Sequence, residues 1–297
     1  MAFKQVTIIG TGLIGGSLGL ALKKRQLAGR IIGCDRAPVL KRAKYCGAIE
    51  AGTSNPAEAV RGSDLVVLAT PVIPILDLIG RLGPALFAKT LVTDVGSTKA
   101  QIVERAAKSF GRSAGQRFLA GHPMAGKENA GVEFADADLF EGAAWLFTPL
   151  PGQNVQAGLC GEFIHCTEKM GAKIAILDPS DHDRLCAWIS HVPQMISTAL
   201  AAALVDEFGA DAPVLDIGGR ALREMTRISG SPYSMWRDIA ITNRKNLSDA
   251  LQKLEQRLAH IRENLDSREL EAEFERAHQL RKNPPRRGGE KSGARVI

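Results

Sequence analysis

The residues that could hold a nucleotide cofactor form one motif near the N-terminus, Gly10-Thr11-Gly12-Leu13-Ile14-Gly15. The motif directly follows an apolar run at residues 6–9 and opens a helical pattern. In such a motif the first glycine allows a tight turn and the second lets the backbone approach a pyrophosphate, while the third lets helix and strand pack closely. The phosphates then lie at a helix N-terminus, whose free N–H groups favour an anion. The motif predicts a dinucleotide site.

The choice between NAD and NADP depends on two residues at the end of the next apolar run. Asp35 stands twenty residues past Gly15, and Arg36 follows it. A carboxylate at this position accepts hydrogen bonds from the adenosine ribose and repels the 2′-phosphate of NADP, whereas an arginine can receive that phosphate. We predict NAD as the cofactor, with NADP less favoured.

Polar or turn-forming residues also follow two later apolar runs. Thr70 and Pro71 end one of them, and Ser97 and Thr98 follow the next. Ligands of open parallel sheets bind in the crevice outside the carboxyl ends of the strands. These four residues are therefore predicted to lie beside the cofactor.

A histidine, His122, follows the apolar run at residues 118–120, in a turn rich in glycine and proline. An imidazole at the ligand edge of such a sheet is suited to take a hydroxyl proton while a hydride departs. The residue could instead serve only as a turn or cap residue. We predict that it is the catalytic base of a dehydrogenase, losing activity as the pH falls through a pKa of about 6–7.

The elements that position these residues alternate between strand and helix patterns. Continuous runs of Val, Ile and Leu, typical of strands covered on both faces, lie at residues 6–9, 31–34, 65–70, 91–95, 118–121, 145–147 and 173–177. Most of the gaps can hold a helix, which predicts an α/β fold with a doubly wound, mostly parallel sheet of the Rossmann type. We predict that this nucleotide-binding domain occupies residues 1–178.

Beyond residue 178 the patterns are helical, at residues 181–205, about 212–228, and in a long helix opened by Ser231 and Pro232. They predict an all-helical domain at residues 179–280. Apolar residues in its last helix recur at spacings of three and four, at Leu247, Leu251, Leu254, Leu258, Ile261 and Leu265. This stripe could pack inside its own domain or against a second subunit. We predict a homodimer formed through the helical domain.

Composition excludes several classes of protein. The 297 residues are 45% hydrophobic and 24% charged, as in soluble globular proteins and unlike disordered or fibrous ones. No apolar run approaches the roughly 20 residues of a membrane helix, and the N-terminus does not resemble a signal peptide. We therefore expect a cytoplasmic protein that does not bind a membrane.

The net charge of +6 is concentrated in residues 281–297, where six basic residues face one acidic residue in a segment rich in proline and glycine. We expect a disordered, solubilising tail there and no nucleic-acid partner, because nucleic-acid binders usually spread basic residues over a folded face. The five cysteines form no CxxC pair, and Cys160, His165 and Cys166 lack a fourth ligand at zinc spacing. The thiols are expected to be reduced, and no metal site is predicted.

Five sequence blocks carry a family resemblance. They are Gly-Thr-Gly-Leu-Ile-Gly-Gly-Ser at 10–17, Asp-Val-Gly-Ser-Thr-Lys at 94–99, Gly-His-Pro-Met-Ala-Gly-Lys-Glu at 121–128, Leu-Phe-Glu-Gly at 139–142, and Thr-Arg-Ile-Ser-Gly-Ser at 226–231 running to Met235-Trp236-Arg237. In this order they resemble the prephenate/arogenate dehydrogenase family of tyrosine biosynthesis through about residue 250. The resemblance implies a Rossmann domain followed by a helical dimerisation domain. It also implies oxidative decarboxylation of prephenate or arogenate to 4-hydroxyphenylpyruvate or tyrosine, with hydride transfer to NAD.

The resemblance also implies catalytic roles. His122 matches the histidine that takes the proton of the C4 hydroxyl of the cyclohexadienol ring. Ser97 matches the serine that contacts that hydroxyl and the nicotinamide.

For the substrate, Arg227 matches the arginine that binds a carboxylate, with Glu128 as its ionic partner in the empty site. His191 and Trp236 match residues of the substrate pocket, although either could simply be a core residue. Lys127 stands where the family commonly has a small polar residue.

Two other functions are compatible with parts of the sequence. One is an NAD(P)-dependent dehydrogenase of the 3-hydroxyacid type, which would use Lys245 beside Asn246 and would leave the block around His122 unexplained. The other is a nucleotide-binding regulator without catalysis, which would form no NADH from prephenate and NAD. The preference between prephenate and arogenate, and inhibition by tyrosine, stay open.

Overall fold

The computed structural model describes residues 2–83, 86, 89–127, 129–210, 217–282 and 295–296. Within these ranges one sheet contains β1 (Phe3–Ile9), β2 (Ala28–Cys34), β3 (Ala51–Thr53), β4 (Leu65–Leu68), β5 (Leu91–Asp94), β6 (Phe118–Pro123), β7 (Ala144–Thr148), β8 (Lys173–Ile176) and β9 (Arg295–Val296). The strand order is β3-β2-β1-β4-β5-β6-β7-β8-β9. All neighbouring strands are parallel except β6 and β7. The predicted fold class is confirmed.

Helices cover both faces of this sheet and then form the second half of the described chain. The helices of the first half are α1 (Leu13–Lys24), α2 (Ala37–Tyr45), α3 (Pro56–Ala59), α4 (Val72–Leu82), α5 (Ala100–Phe110), α6 (Ala114–Arg117) and α7 (Gly158–Lys169). The helices of the second half are α8 (Pro179–Cys186), α9 (Val192–Phe208), α10 (Arg220–Thr226), α11 (Tyr233–Thr242), α12 (Arg244–Glu263) and α13 (Arg268–Lys282). A π-helical turn at Ala187–His191 joins α8 to α9.

Alternate residues of each central strand enter the two hydrophobic layers of the domain. In β4, Leu65 and Val67 pack into the layer that contains α1, whereas Val66 and Leu68 pack into the layer that contains α4 and α5. Both faces of the strand are therefore buried and excluded from water, which is why its sequence is continuously apolar.

The strand order reverses beside β1, whose neighbours are β2 and β4. Gly10 follows β1 with φ +95, and a Cβ there would lie 2.5 Å from the carbonyl oxygen of Ala69. Only glycine fits this turn, because a side chain would both strain the backbone and strike the segment after β4. The turn sends the chain into α1 at the switch point of the sheet, the usual ligand site of doubly wound folds.

Several elements differ from the sequence prediction. Arg295 and Val296 form β9 and pair with β8, although they lie in the segment predicted to be a disordered tail, because two residues suffice to extend the open edge of the sheet. β3 was not predicted, because three partly buried residues carry no apolar run. β6 extends to Pro123, so His122 lies within the strand and pairs with Leu146 of β7. The long helix predicted from Ser231 and Pro232 is wrong, since α11, α12 and α13 replace it.

Asn243 causes the first break in that helix. It has φ −118 and ψ 28, and its buried side chain donates to the backbone oxygen of Asp183 at 2.7 Å. That contact draws the residue out of helical conformation. The helix predicted at about 212–228 lies partly outside the described residues, and the described part contains α10 and a 3₁₀ turn at Arg227–Gly230.

One helical run, Pro179–Phe208, has the length and apolar composition of a membrane span, with a mean hydropathy of 1.3 and 22% of its apolar window buried. The sequence prediction found no such run. Core and interface helices of globular proteins share this composition, and this run carries the buried polar residues His182, Asp183 and His191. Its buried polar groups indicate a role inside the protein.

The apolar stripe predicted in the last helix divides into two parts. Leu247 is buried, and Leu251 and Leu254 pack against the small core of the helical half. Leu258 is 57% exposed, and Leu265 lies beyond the end of α12 and is 64% exposed. Trp188, 43% exposed, lines a surface groove together with Leu254. The outer part of the stripe is available to a second subunit.

We expect Leu258→Arg to convert a homodimer into a monomer. Leu258 contributes little to the core of one subunit, whereas burying leucine at an interface stabilises by roughly 1.5–3 kcal/mol per copy, and a twofold interface contains two copies. Dimerisation should weaken at least about 10²-fold. Light scattering at micromolar concentration should give twice 31.8 kDa before the change and 31.8 kDa after it.

Tyr45→Arg is the matched control, because Tyr45 is 93% exposed but lies on α2, in the other half. This variant should stay dimeric. A mass of 31.8 kDa for the unchanged protein would contradict the dimer. A dimer that survives Leu258→Arg would place the interface elsewhere.

Candidate active site

A cavity of about 620 Å³ lies where the carboxyl ends of the strands meet the helical half. The predicted site residues that line it are Gly12, Leu13, Ile14, Thr70, Pro71, Ser97, His122 and Trp236. They come from the start of α1, the segments after β4 and β5, the end of β6, and α11. Gly12 and Trp236, which are 224 residues apart in sequence, therefore meet in one space, as a site for cofactor and substrate together requires.

The glycines of the first turn are arranged for close approach of a ligand. A Cβ at Gly15 would lie 1.9 Å from the oxygen of Gly10, so this glycine serves the packing of strand and helix. A Cβ at Gly12 would meet no atom within 4 Å, and Gly12 lines the cavity. The open space at Gly12 fits a pyrophosphate at the N-terminus of α1.

A smaller cavity of about 350 Å³ lies beside the first one and shares Thr70 with it. Gly10, Asp35 and Arg36 line this second cavity. The Asp35 carboxylate accepts hydrogen bonds from the backbone N–H groups of Thr11, at 2.8 Å, and Arg36, at 2.7 Å. These bonds hold the carboxylate at the end of β2, where an adenosine ribose would bind.

Thr98 does not line either cavity. Its buried hydroxyl lies 2.8 Å from the hydroxyl of Thr242 in α11. The structure places this residue at the contact between the two halves of the chain, one position beyond the cavity residue Ser97.

His122 is 8% exposed at the end of β6, and its Nδ1 lies 2.9 Å from Nε2 of His182. Burial holds the pKa of His122 well below 6.5, and the nearby His182, Lys99 and His191 lower it further. The imidazole is therefore neutral at neutral pH, as a proton acceptor must be. The loss of activity that the sequence predicts at about pH 6–7 is therefore expected at lower pH. The sequence could not reveal the burial that causes this shift.

Beneath His122 lies a fully buried ion pair between the Lys99 ammonium and the Asp94 carboxylate. The ammonium also donates to the backbone oxygen of Gly121 at 2.7 Å, and the carboxylate accepts from the backbone N–H of Gly96 at 2.8 Å. Burial raises the pKa of Asp94 and lowers that of Lys99, while the attraction between the two charges opposes both shifts.

His191 is buried beside the cavity and meets the ring of Trp236 edge-on, with centroids 5.9 Å apart. The side-chain amide of Asn243 contacts Nδ1 of His191 at 3.2 Å, and the amide oxygen accepts from Asn246. The amide nitrogen is thus the donor, which leaves the imidazole proton on Nε2. Among the described residues, Nε2 of His191 and Nε1 of Trp236 have no hydrogen-bond partner. These two buried N–H groups can donate hydrogen bonds to a ligand.

Arg227 does not line the main cavity. It lies in the 3₁₀ turn after α10, on an adjoining cavity of about 740 Å³ that shares Lys127 and Ser231 with the main one. The Lys127 ammonium contacts the oxygen of Phe134 and the carboxylate of Asp136, each at 3.1 Å. Glu128, the predicted ionic partner of Arg227, lies outside the described residues. Cationic side chains thus border one end of the site.

Three ligand atoms of His122, His182 and Cys186 lie within 4.8 Å of one another. By composition this group could hold a metal. However, the two imidazoles already share a direct hydrogen bond, and burial raises the pKa of the Cys186 thiol to about 12, which disfavours the thiolate that metals require.

The sequence analysis missed the buried polar residues that support the site, namely Asp94, Lys99, His182, Asp183 and Asn243. Asp94 and Lys99 lie in a block that carries the family resemblance, but only its hydroxyl residues were assigned a role. His182 and Asp183 lie at the start of the predicted helix at 181–205, and nothing in that helical pattern indicated that they are buried. Lys245, which the 3-hydroxyacid alternative requires, is exposed and does not line the main cavity.

Comparison with known proteins agrees with this arrangement. Residues 18–176 match the nucleotide-binding domain of prephenate dehydrogenase, and residues 178–279 match its dimerization domain. The chain belongs to the prephenate dehydrogenase family. The helical half is thus the dimerisation domain of this family.

Individual prephenate dehydrogenase relatives are similar over most of their length. The prephenate dehydrogenase of Lactococcus lactis is 31% identical over 94% of this chain and 77% of the relative. The crystal structure of prephenate dehydrogenase from A. aeolicus with hydroxyphenyl propionate and NAD+ has a TM-score of 0.80 at 29% identity, covering 94% of this chain and 95% of that one. The Synechocystis arogenate dehydrogenase structure has a TM-score of 0.74 at 28% identity, covering 94% and 99%.

The buried neutral histidines predict that acid destabilises the folded protein. Burial lowers the pKa of His191 to about 4, against about 6.5 in an unfolded chain. Below pH 6.5 the unfolded chain therefore binds protons that the folded one does not. The free energy of unfolding thus decreases as the pH is lowered from 6.5 to about 4. His191 alone should cost about 2 kcal/mol between pH 7 and pH 5.

The measurement is the urea midpoint at these two pH values. His191→Gln should show a smaller fall, whereas His165→Gln, which replaces a histidine with a 62% exposed side chain, should fall as the unchanged protein does. Equal falls for all three proteins would show that His191 is not the cause.

Proposed function

We propose that this chain catalyses the oxidative decarboxylation of prephenate, arogenate or both, with NAD as the hydride acceptor. The proposal rests above all on one observation: a single cavity joins the N-terminus of α1, Ser97 and a neutral, buried His122. Membership of the prephenate dehydrogenase family supports it.

For the cofactor, we assign Gly10, Gly12, Leu13, Ile14, Gly15, Asp35, Arg36, Thr70 and Pro71. The bound nicotinamide supplies a carbon that accepts a hydride. The open space at Gly12 suits the pyrophosphate, and the Asp35 carboxylate suits the ribose hydroxyls. Asp35 favours NAD over NADP, because its negatively charged carboxylate would repel the 2′-phosphate of NADP.

His122 is the base in this proposal. As hydride leaves C4 of the ring, the C4 hydroxyl becomes a ketone and its proton passes to the imidazole. The bond between C1 and its carboxylate then breaks, CO₂ leaves, and the electron pair makes the ring aromatic with negative charge on the C4 oxygen. His122 returns the proton to that oxygen. Ser97 lines the same cavity and helps to orient the hydroxyl.

The substrate carries two carboxylates, and the site offers matching groups. Arg227 and Lys127 border the adjoining cavity, where the side-chain carboxylate of the substrate would bind. His191 and Trp236 present N–H groups that lack partners among the described residues, to which an oxygen of the substrate can bind. Glu128 is assigned as the ionic partner of Arg227.

The enzyme acts as a cytoplasmic homodimer on a small molecule in this proposal. Residues 1–178 bind the nucleotide and residues 179–280 form the helical domain, while residues 281–297 remain assigned as a basic tail. NADH absorbance, followed with each substrate and each cofactor, tests the activity. No NADH from either substrate would refute the proposed function.

His122→Asn should lower kcat by about 10²–10⁴-fold, the usual contribution of a positioned acid–base group. The Kd for NAD should stay within about twofold, because the base does not hold the cofactor. Stopped-flow absorbance gives kcat, and calorimetry gives the Kd. An unchanged kcat at pH 7 would exclude His122 as the base.

Arg227→Ala should raise the substrate KM by about 30-fold or more, because it removes a charge-assisted contact to a carboxylate. Arg223→Ala is the matched control, since Arg223 lies on the preceding helix and lines neither cavity of the site. This control should leave KM unchanged. A rise in the KM for NAD instead would place Arg227 at the cofactor.

A further inference from the structure

A buried chain of hydrogen-bonding side chains runs away from the cavity behind His122. Nδ1 of His122 lies 2.9 Å from Nε2 of His182, and Nδ1 of His182 lies 2.9 Å from Oδ1 of Asp183. His182 is 0% exposed and Asp183 is 2% exposed. The proposed function uses only the first member of this chain.

The carboxylate at its inner end dictates where the protons lie. A carboxylate only accepts hydrogen bonds, so Nδ1 of His182 must carry its proton. The Nε2 of a neutral His182 is then an acceptor, and the proton shared with His122 belongs to Nδ1 of His122. Nε2 of His122 is left with a free lone pair.

Asp183 is itself held in place by backbone groups. Its two carboxylate oxygens accept from the N–H groups of Lys99, at 2.7 Å, and Ala100, at 3.0 Å, at the start of α5. The N-terminus of a helix stabilises a negative charge. The inner end of this row of side chains is therefore an acceptor that two backbone donors hold in place.

We propose that His182 and Asp183 are positioning residues that keep His122 in the tautomer with Nδ1 protonated and Nε2 free to take the substrate proton. Solvent-exposed imidazoles carry no such constraint, so a lone histidine at this place would present the wrong nitrogen for much of the time. The same arrangement stabilises the imidazolium once the proton has arrived, because His182 accepts from it and Asp183 lies behind.

The other ionisable groups around His122, His182 and Asp183 cannot take over this positioning role. The Lys99 ammonium is paired with Asp94, and His191 contacts Asn243. The Cys186 sulfur lies 4.0 Å from Nδ1 of His122 and 3.5 Å from Nε2 of His182, and a neutral thiol is a weak acceptor.

The inference rests on the proposed function, and His182 is the residue with which to test it, since Asp183 also caps α5. His182→Leu keeps the volume but removes the acceptor, and kcat should fall by about 10²-fold with both KM values within threefold. His182→Gln places an amide oxygen near the position of Nε2, and kcat should recover to within about tenfold of the unchanged protein. His165→Leu, an exposed histidine on α7, is the control and should be fully active.

The tautomer can be observed without any activity. With ¹⁵N-labelled histidine, two-bond correlation spectra should show Nδ1 of His122 protonated, with the signal assigned by its loss in His122→Asn. In His182→Leu the signal should shift toward the Nε2-protonated form. Protonation of Nε2 in the unchanged protein would overturn the inference, as would full activity of His182→Leu or equal losses in the Leu and Gln variants. An unchanged protein that is inactive on both substrates would instead refute the proposed function, whatever the tautomer.

Discussion

The buried ion pair between Lys99 and Asp94 holds the site together. It lies where β5 ends and α5 begins, and it reaches β6 through the backbone oxygen and N–H of Gly121, the residue before His122. Both side chains are fully buried, so removing either would leave an uncompensated charge, a loss of about 3–5 kcal/mol. The ends of β5 and β6 are thereby joined by the ion pair and its hydrogen bonds as well as by strand pairing. These contacts fix the position of His122, which follows Gly121 in β6.

The two halves of the chain meet through acceptors at helix N-termini. Asp183 of α8 accepts from the first N–H groups of α5, and Asp238 of α11 accepts from the N–H of Ile73 at the start of α4, at 3.1 Å. Helix N-termini leave N–H groups unsatisfied, so each carboxylate is buried against donors that need a partner. These contacts join the two halves beside the cavity, so residues of both halves that line it are held in fixed positions.

The low polarity of the site suits the proposed chemistry. Burial keeps His122, His182 and His191 neutral, so each offers one donor and one acceptor in a fixed direction. A weakly basic imidazole is sufficient, because loss of CO₂ makes the product ring aromatic and the protein has no unstable carbanion to support. Its contribution is alignment of the reacting groups and selection of the correct nitrogen.

Much of the first half could be predicted from local pattern. The apolar runs located seven of the nine described strands, because strands buried on both faces must be continuously apolar, as in β4. The glycine motif located the cofactor end of the cavity, because its spacing reflects a backbone turn in which only glycine fits at positions 10 and 15. β3 and the breaks at either end of α12 carry no such local pattern. The buried Asn243, whose partner lies in another helix, could not be distinguished from a surface asparagine.

The sequence by itself determined the family, the fold class and eight residues of the cavity wall, since these depend on periodicity and on short motifs. Only the tertiary structure decided which polar residues stand behind that wall. Asp94 and Lys99 are five positions apart and His182 and Asp183 are adjacent, yet their function depends on burial and on partners up to 84 residues away. It also placed Thr98 at the contact between the halves and moved the pKa of His122 downward. The physical reason is that the energy of a buried charge or imidazole is set by the groups that surround it in space, and composition along the chain does not record those groups.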